Sequence, residues 1–173
     1  MVHCRLGGLL LWLCLLVIWG SPCPALAQTE ASPQALLTKA VAAMERAEQL
    51  AADDPEEALA AAKESRRLFS ELQKATAGQL ADKALTTQQV EQETLQLQLA
   101  EELFKKGELF QKAAQEKIAR SKELRSQGED AAAQNLEGVA QIEGRLALQN
   151  YVRSMIFGLK NQRLVFESLL GAK

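Results

Sequence analysis

Between residues 33 and 170 the apolar side chains return every three or four positions, and the two-residue alternation of a strand with its turn pairs never sets in. The spacing predicts four helices, over about Pro33–Ala52, Pro55–Ala77, Thr87–Gln127 and Glu129–Leu170. Three of the starts carry a chemical reason. Ser32-Pro33 and Asp54-Pro55 each set a capping side chain before a proline, whose missing N–H would be unpaired at a first helical position. Glu56 and Glu57 then add negative charge where the helix dipole favours it, and "TTQQ" at 86–89 has the form of a capping box. Gly78 is a stop signal after the second helix.

Two short stretches, "AADDPEEALAA" (51–61) and "RSQGEDAAAQN" (125–135), read as turns between helices. Each turn joins helices of near-equal length, so the chain should fold as two antiparallel hairpins, one short and one long. The fold class is therefore all-α, with docking of the hairpins into an elongated four-helix bundle as the fully packed arrangement. In the short hairpin the stripes are Leu36, Ala40, Ala43, Ala47, Leu50 and Ala58, Ala62, Ser65, Phe69, Leu72. Alanine at these places lets two helix axes approach closely. In the long hairpin the third helix offers Leu97, Ala100, Leu103, Gly107, Phe110, Ala114, Ile118 and Ser121. The fourth offers Leu148, Val152, Met155, Leu159, Gln162, Phe166 and Leu169, alternating by four and three as in a coiled-coil seam. Pairing about the turn at Gly128 sets Leu97 near Leu159 and Val90 near Phe166.

The fourth helix has a second apolar stripe. Leu146, Phe157 and Leu164 fall together away from the seam, flanked by Arg145, Arg153, Lys160 and Arg163. One hairpin partner cannot cover both stripes. Leu146, Arg153, Phe157, Lys160 and Leu164 are thus the candidate face for the short hairpin, for a partner protein, or for an anionic membrane surface met by a basic amphipathic helix.

The first residues tell a different story. After Arg5, the 15-residue apolar run Leu6–Gly20 is short for a spanning helix, which needs about 20. "SPCPALAQ" follows, with Ala25 and Ala27 as the small residues before Gln28, the pattern of a cleaved secretory signal. An uncleaved anchor is the alternative. The chain then divides into a signal (1–27), a short Ala-rich hairpin with linker (28–85) and a long hairpin (86–173). All the cysteines (Cys4, Cys14, Cys23), the one histidine (His3) and both tryptophans (Trp12, Trp19) lie before the expected cut. An exported chain without disulfides, rich in alanine, fits a bacterial periplasm.

That subtraction decides what chemistry to expect. Without thiol or imidazole there is no Cys-His or Ser-His pair, no imidazole-ligated zinc and no redox Cys-x-x-Cys. Carboxylate faces such as Glu101 with Glu108 remain, and an all-carboxylate metal site would have to come from them. Adjacent acids on a helix point to different parts of its surface, and the plain expectation is a solvated charged face. No cofactor or metal is expected, and no enzymatic activity. Past the signal there are 19 Lys and Arg against 22 Asp and Glu, interspersed, for a net charge of −3; a nucleic-acid footprint would need a clustered basic excess. The function expected is that of a periplasmic helical protein serving protein interaction, assembly or chaperone-like binding in the cell envelope. Its partner would be another envelope protein or a second copy of itself; the alternative is a peripheral lipid-binding protein working through its basic last helix.

Overall fold

The computed structural model describes residues 32–77 and 86–171. The expected signal sequence with its expected cleavage residues Ala25, Ala27 and Gln28, and the expected stop at Gly78, lie outside these residues. Residues 32–173 form one compact unit, all-α throughout its described part.

The described residues form four helices: α1 (Pro33–Leu50), α2 (Pro55–Ala75), α3 (Thr87–Ser126) and α4 (Asp130–Leu170). The caps act as their chemistry dictates. Ser32 accepts from the amide of Ala35 at 3.2 Å, Asp54 accepts from that of Glu57 at 3.0 Å, and Thr86 exchanges bonds with Gln89 in a closed capping box. The α3–α4 turn needs a left-handed residue and has Gly128, at φ 82°. α2 ends at Ala75, where the Thr76 hydroxyl bonds back to the Leu72 carbonyl at 2.8 Å.

α1 and α2 form the short hairpin, closed on alanine. Ala40, Ala47, Ala58 and Ala62 are fully buried, and the Ser65 hydroxyl donates to the Ala40 carbonyl at 2.8 Å across the contact. The α2 stripe faces inward as predicted. On α1, Leu37 and Met44 are buried while Leu36 and Ala43 are only half-buried, because α1 packs against α4 as well as α2 and its apolar arc is correspondingly wide.

α3 and α4, of 40 and 41 residues, run antiparallel along about 60 Å at 1.5 Å per residue. The register is the predicted one: Ala100 meets Ser154, Gly107 meets Tyr151, and Lys117 meets Glu143. The faces are not. On α4, Ala133, Ala140, Ala147 and Ser154 turn toward α3, whose matching line is Ala100, Gly107, Ala114 and Ser121. The expected seam of Leu148, Val152, Met155, Leu159 and Phe166 instead belongs to the core shared with the short hairpin. Phe166 stacks on Phe69, with centroids 5.8 Å apart.

Packing accounts for the exchange. Large side chains on α4 fill the space above an alanine-lined hairpin, and the alanine face of α4 leaves room for half-buried Leu103 and Phe110 of α3. The contact of α4 with the short hairpin sets large side chains over small ones, while α3 and α4 close on two lines of small residues with Leu103 and Phe110 at the edge. α4 is consequently the central helix, with α3 on one side and the short hairpin on the other.

Candidate interaction surface

The short hairpin lies against the half of α4 that includes residues 145–170. Its turn is tied by Arg145 Nη2 to the Asp53 carbonyl at 2.6 Å and by Gln149 Nε2 to the Ala52 carbonyl at 2.7 Å. Further along, Lys160 Nζ meets Glu48 at 2.5 Å and Arg163 Nη1 meets Glu45 at 3.4 Å, while Arg163 Nε also holds Glu167 at 2.6 Å. The docked apolar surface is therefore bordered by ion pairs that fix its register. Each pair is exposed enough to contribute only a few tenths of a kcal/mol.

Of the candidate face, Lys160 takes part in these contacts. Leu146, Phe157 and Leu164 are half-buried, Phe157 lining a hollow with Glu48, Ala51 and Ala52, and Lys160 places its ammonium 5.3 Å from the Phe157 ring centroid. Arg145 and Arg153 stay exposed without an ion pair among the described residues, Arg145 donating instead to the Asp53 carbonyl. The basic flank drawn from the sequence is thus largely spent within the molecule, on Glu45, Glu48 and the Asp53 carbonyl.

Six of the eight seam residues of α3 keep their place: Ala100, Gly107, Ala114 and Ser121 on the line facing α4, with Leu103 and Phe110 half-buried. Leu97 does not. It stands on the flank of α3 with Val90, Phe104 and Ile118, all 43–49% exposed. Positions 90, 97, 104, 111 and 118 are seven apart, so these side chains form one line along α3. Gln111 interrupts it and accepts the Tyr151 hydroxyl at 2.6 Å; Phe104 packs on the Tyr151 ring at 5.4 Å between centroids. The line is present in the sequence, but sharing its apolar residues with the seam concealed it.

On the solvent side the line is bordered by Glu101 and Glu108. The Lys105 ammonium, by hydrogen bond and then by charge, holds the Glu101 carboxyl below the usual carboxylate range. Burial, and next the charge of Glu108, push the Tyr151 phenol above its ordinary value. A pKa raised by folding contributes stability below the unfolded value and loses it as pH rises through the folded one. Tyr151 is the one tyrosine of the chain, so an ultraviolet phenolate titration reads a single site. We expect it to ionise later than a free phenol, above about pH 10, with loss of helicity in the same window. Ionisation at the free-phenol value with the helices intact would contradict the packing of Tyr151 between Gly107 and Phe104.

Among the described residues no group of three or more acids gathers to hold a cation, and no helix is long and apolar enough to cross a membrane. Comparison with protein-family models, with curated proteins and with solved structures gave no match.

Proposed function

We propose that this protein is an exported, non-enzymatic helical module of the cell envelope, most at home in a bacterial periplasm, that holds another protein against the uncovered flank of α3. The observation carrying this reading is the line Val90, Leu97, Phe104 and Ile118, which accounts for half of the large apolar side chains left exposed among the described residues. Scattered singly, such residues need no explanation; aligned at seven-residue spacing, they match the apolar edge of another helix. The acidic border of Glu101 and Glu108 favours an occupant with Lys or Arg beside its apolar positions. It also disfavours a second copy of α3, since antiparallel self-pairing about Phe104 would bring Glu101 close to the other copy's Glu108.

Affinity capture from envelope extract tests this. Leu97→Glu with Phe104→Glu should reduce recovery of a saturable partner at least tenfold, and Arg153→Glu with Phe157→Glu should leave it unchanged. Sedimentation with anionic vesicles that depends on Arg153 and Phe157 would replace this reading by lipid binding through α4.

A further inference from the structure

The α4 surface that the short hairpin covers continues past the hairpin. Its buried lines run through Val152, Leu159 and Phe166 and through Ile156. Seven residues at a time toward the start of the helix, the first line reaches Arg145, Gly138 and Ala131, and the second reaches Gln149, Ile142 and Asn135. The hairpin turn bonds to Arg145 and borders Gln141 and Gly144, and Ala131, Asn135, Gly138 and Ile142 extend the docking face exposed among the described residues; Ile142 is 63% exposed and Val139 beside it 42%.

Charge is missing from this surface. Between Asp130 and Arg145 the only ionisable residues are Glu137 and Glu143, and both turn to α3, Glu137 to Arg125 at 2.9 Å and Glu143 to Lys117 at 2.7 Å. The solvent side of α4 thus carries no charge over 14 consecutive residues, 131–144. A glycine lies in the middle of it. A Cβ built at Gly138 would meet nothing within 4 Å, so no neighbour within the molecule requires a residue that weakens a helix. Gly107 is the contrast, with the Tyr151 ring pressed against its Cα.

We infer that residues 129–145 of α4 are a self-association face, on which a second copy of this chain packs the same residues antiparallel about a two-fold axis. The face is complementary to itself. Reversed on its own copy, Ile142 lies over Ala131 and Asn135 over Gly138, large against small as where α4 meets the short hairpin. With no charge between, nothing repels. At the ends Arg145 of each copy comes within a helical turn of the other's Glu129 and Asp130. The acidic turn at Asp53 and Asp54 closes the face beside Arg145 and limits the overlap to about 24 Å of helix. One helix of that length per copy buries less than the roughly 1,200 Å² of a standard stable interface, so the dimer is a weak and reversible one. The face is independent of the α3 flank, which lies on another helix and another side of the molecule.

Sedimentation velocity of the full chain across a concentration series, compared with two variants, is the test. A reversible monomer–dimer equilibrium is expected. Ile142→Lys and Gly138→Gln should each raise the dissociation constant at least tenfold, and Leu109→Lys, an exposed apolar position of α3, should not change it. Gly138→Gln should at the same time raise the melting temperature of the dilute monomer, because glutamine favours helix over glycine and meets no neighbour there; a merely structural role for the glycine predicts the opposite. A chain that stays monomeric to millimolar concentration, or a dimer indifferent to both variants, overturns the inference.

Discussion

Phe69→Ala is expected to lower the unfolding free energy by about 3–5 kcal/mol, more than any other single truncation in this core. Phe69 is 1% exposed and lies where three helices converge: it belongs to α2, stacks on Phe166 of α4, and shares its core with Leu37 and Met44 of α1. Alanine there removes the transfer energy of a whole ring and leaves a cavity between two rows already lined by alanine, which have no longer side chains to collapse into it. Domains of this size are stable by about 5–15 kcal/mol, so the loss is a large share of the whole. Urea unfolding followed by circular dichroism measures it. Phe69 meets the long hairpin through Phe166 of α4, so the variant should show a separate early transition as the short hairpin leaves α4 while α3 remains paired. A single unchanged transition would mean that the stacked pair is not what holds the two hairpins together.

Gly107→Val is expected to be the second largest, at about 2 kcal/mol of destabilisation. Helix propensity alone would favour the change, since glycine is the poorer helix former. Packing decides against it. A Cβ at position 107 would lie 2.8 Å from two carbons of the Tyr151 ring, closer than side chains approach, and the ring is held at its hydroxyl by Gln111 and at its face by Phe104. To admit valine the ring must leave, which breaks that hydrogen bond and brings the phenol back toward its ordinary titration. Thermal melting together with the tyrosine titration therefore checks the same event twice. Gly138→Ala is the matched control, expected to stabilise by about 0.5–1 kcal/mol in dilute protein because its surroundings are open. If both glycine substitutions moved stability in one direction, propensity rather than contact would be the determinant.

Much of this architecture was readable from the residues. The helix starts followed from Ser32-Pro33, Asp54-Pro55 and Thr86 with Gln89, because capping is local chemistry between neighbours in sequence. The antiparallel register followed from the position of Gly128 between two helices of nearly equal length. What failed was the choice of face. α4 carries two lines at seven-residue spacing, one of alanines and one of large apolar residues, and buried area favours giving the large one to the nearest partner in sequence. The structure gives Val152, Leu159 and Phe166 to the core shared with the short hairpin instead, while α3 meets α4 through its own line of small residues. Leu97 and Ile118 were assigned to the seam for the same reason, when their place is the flank. The basic stripe was read correctly as a line, but its neutralisation by Glu45 and Glu48 depends on which hairpin lies across it, and no local pattern carries that information.

The central place of α4 has a consequence in time. The first three helices to leave the ribosome contain the partners, and the helix that joins them comes afterwards. Until residues 145–170 exist, the apolar row through Leu37, Met44 and Phe69 has no lid, and the alanine line of α3 has nothing to lie along. Closure is consequently a late and nearly simultaneous event, in which one strut engages both neighbours. Nascent chains arrested before residue 145 should yield to protease across α3, and those arrested past residue 170 should resist it.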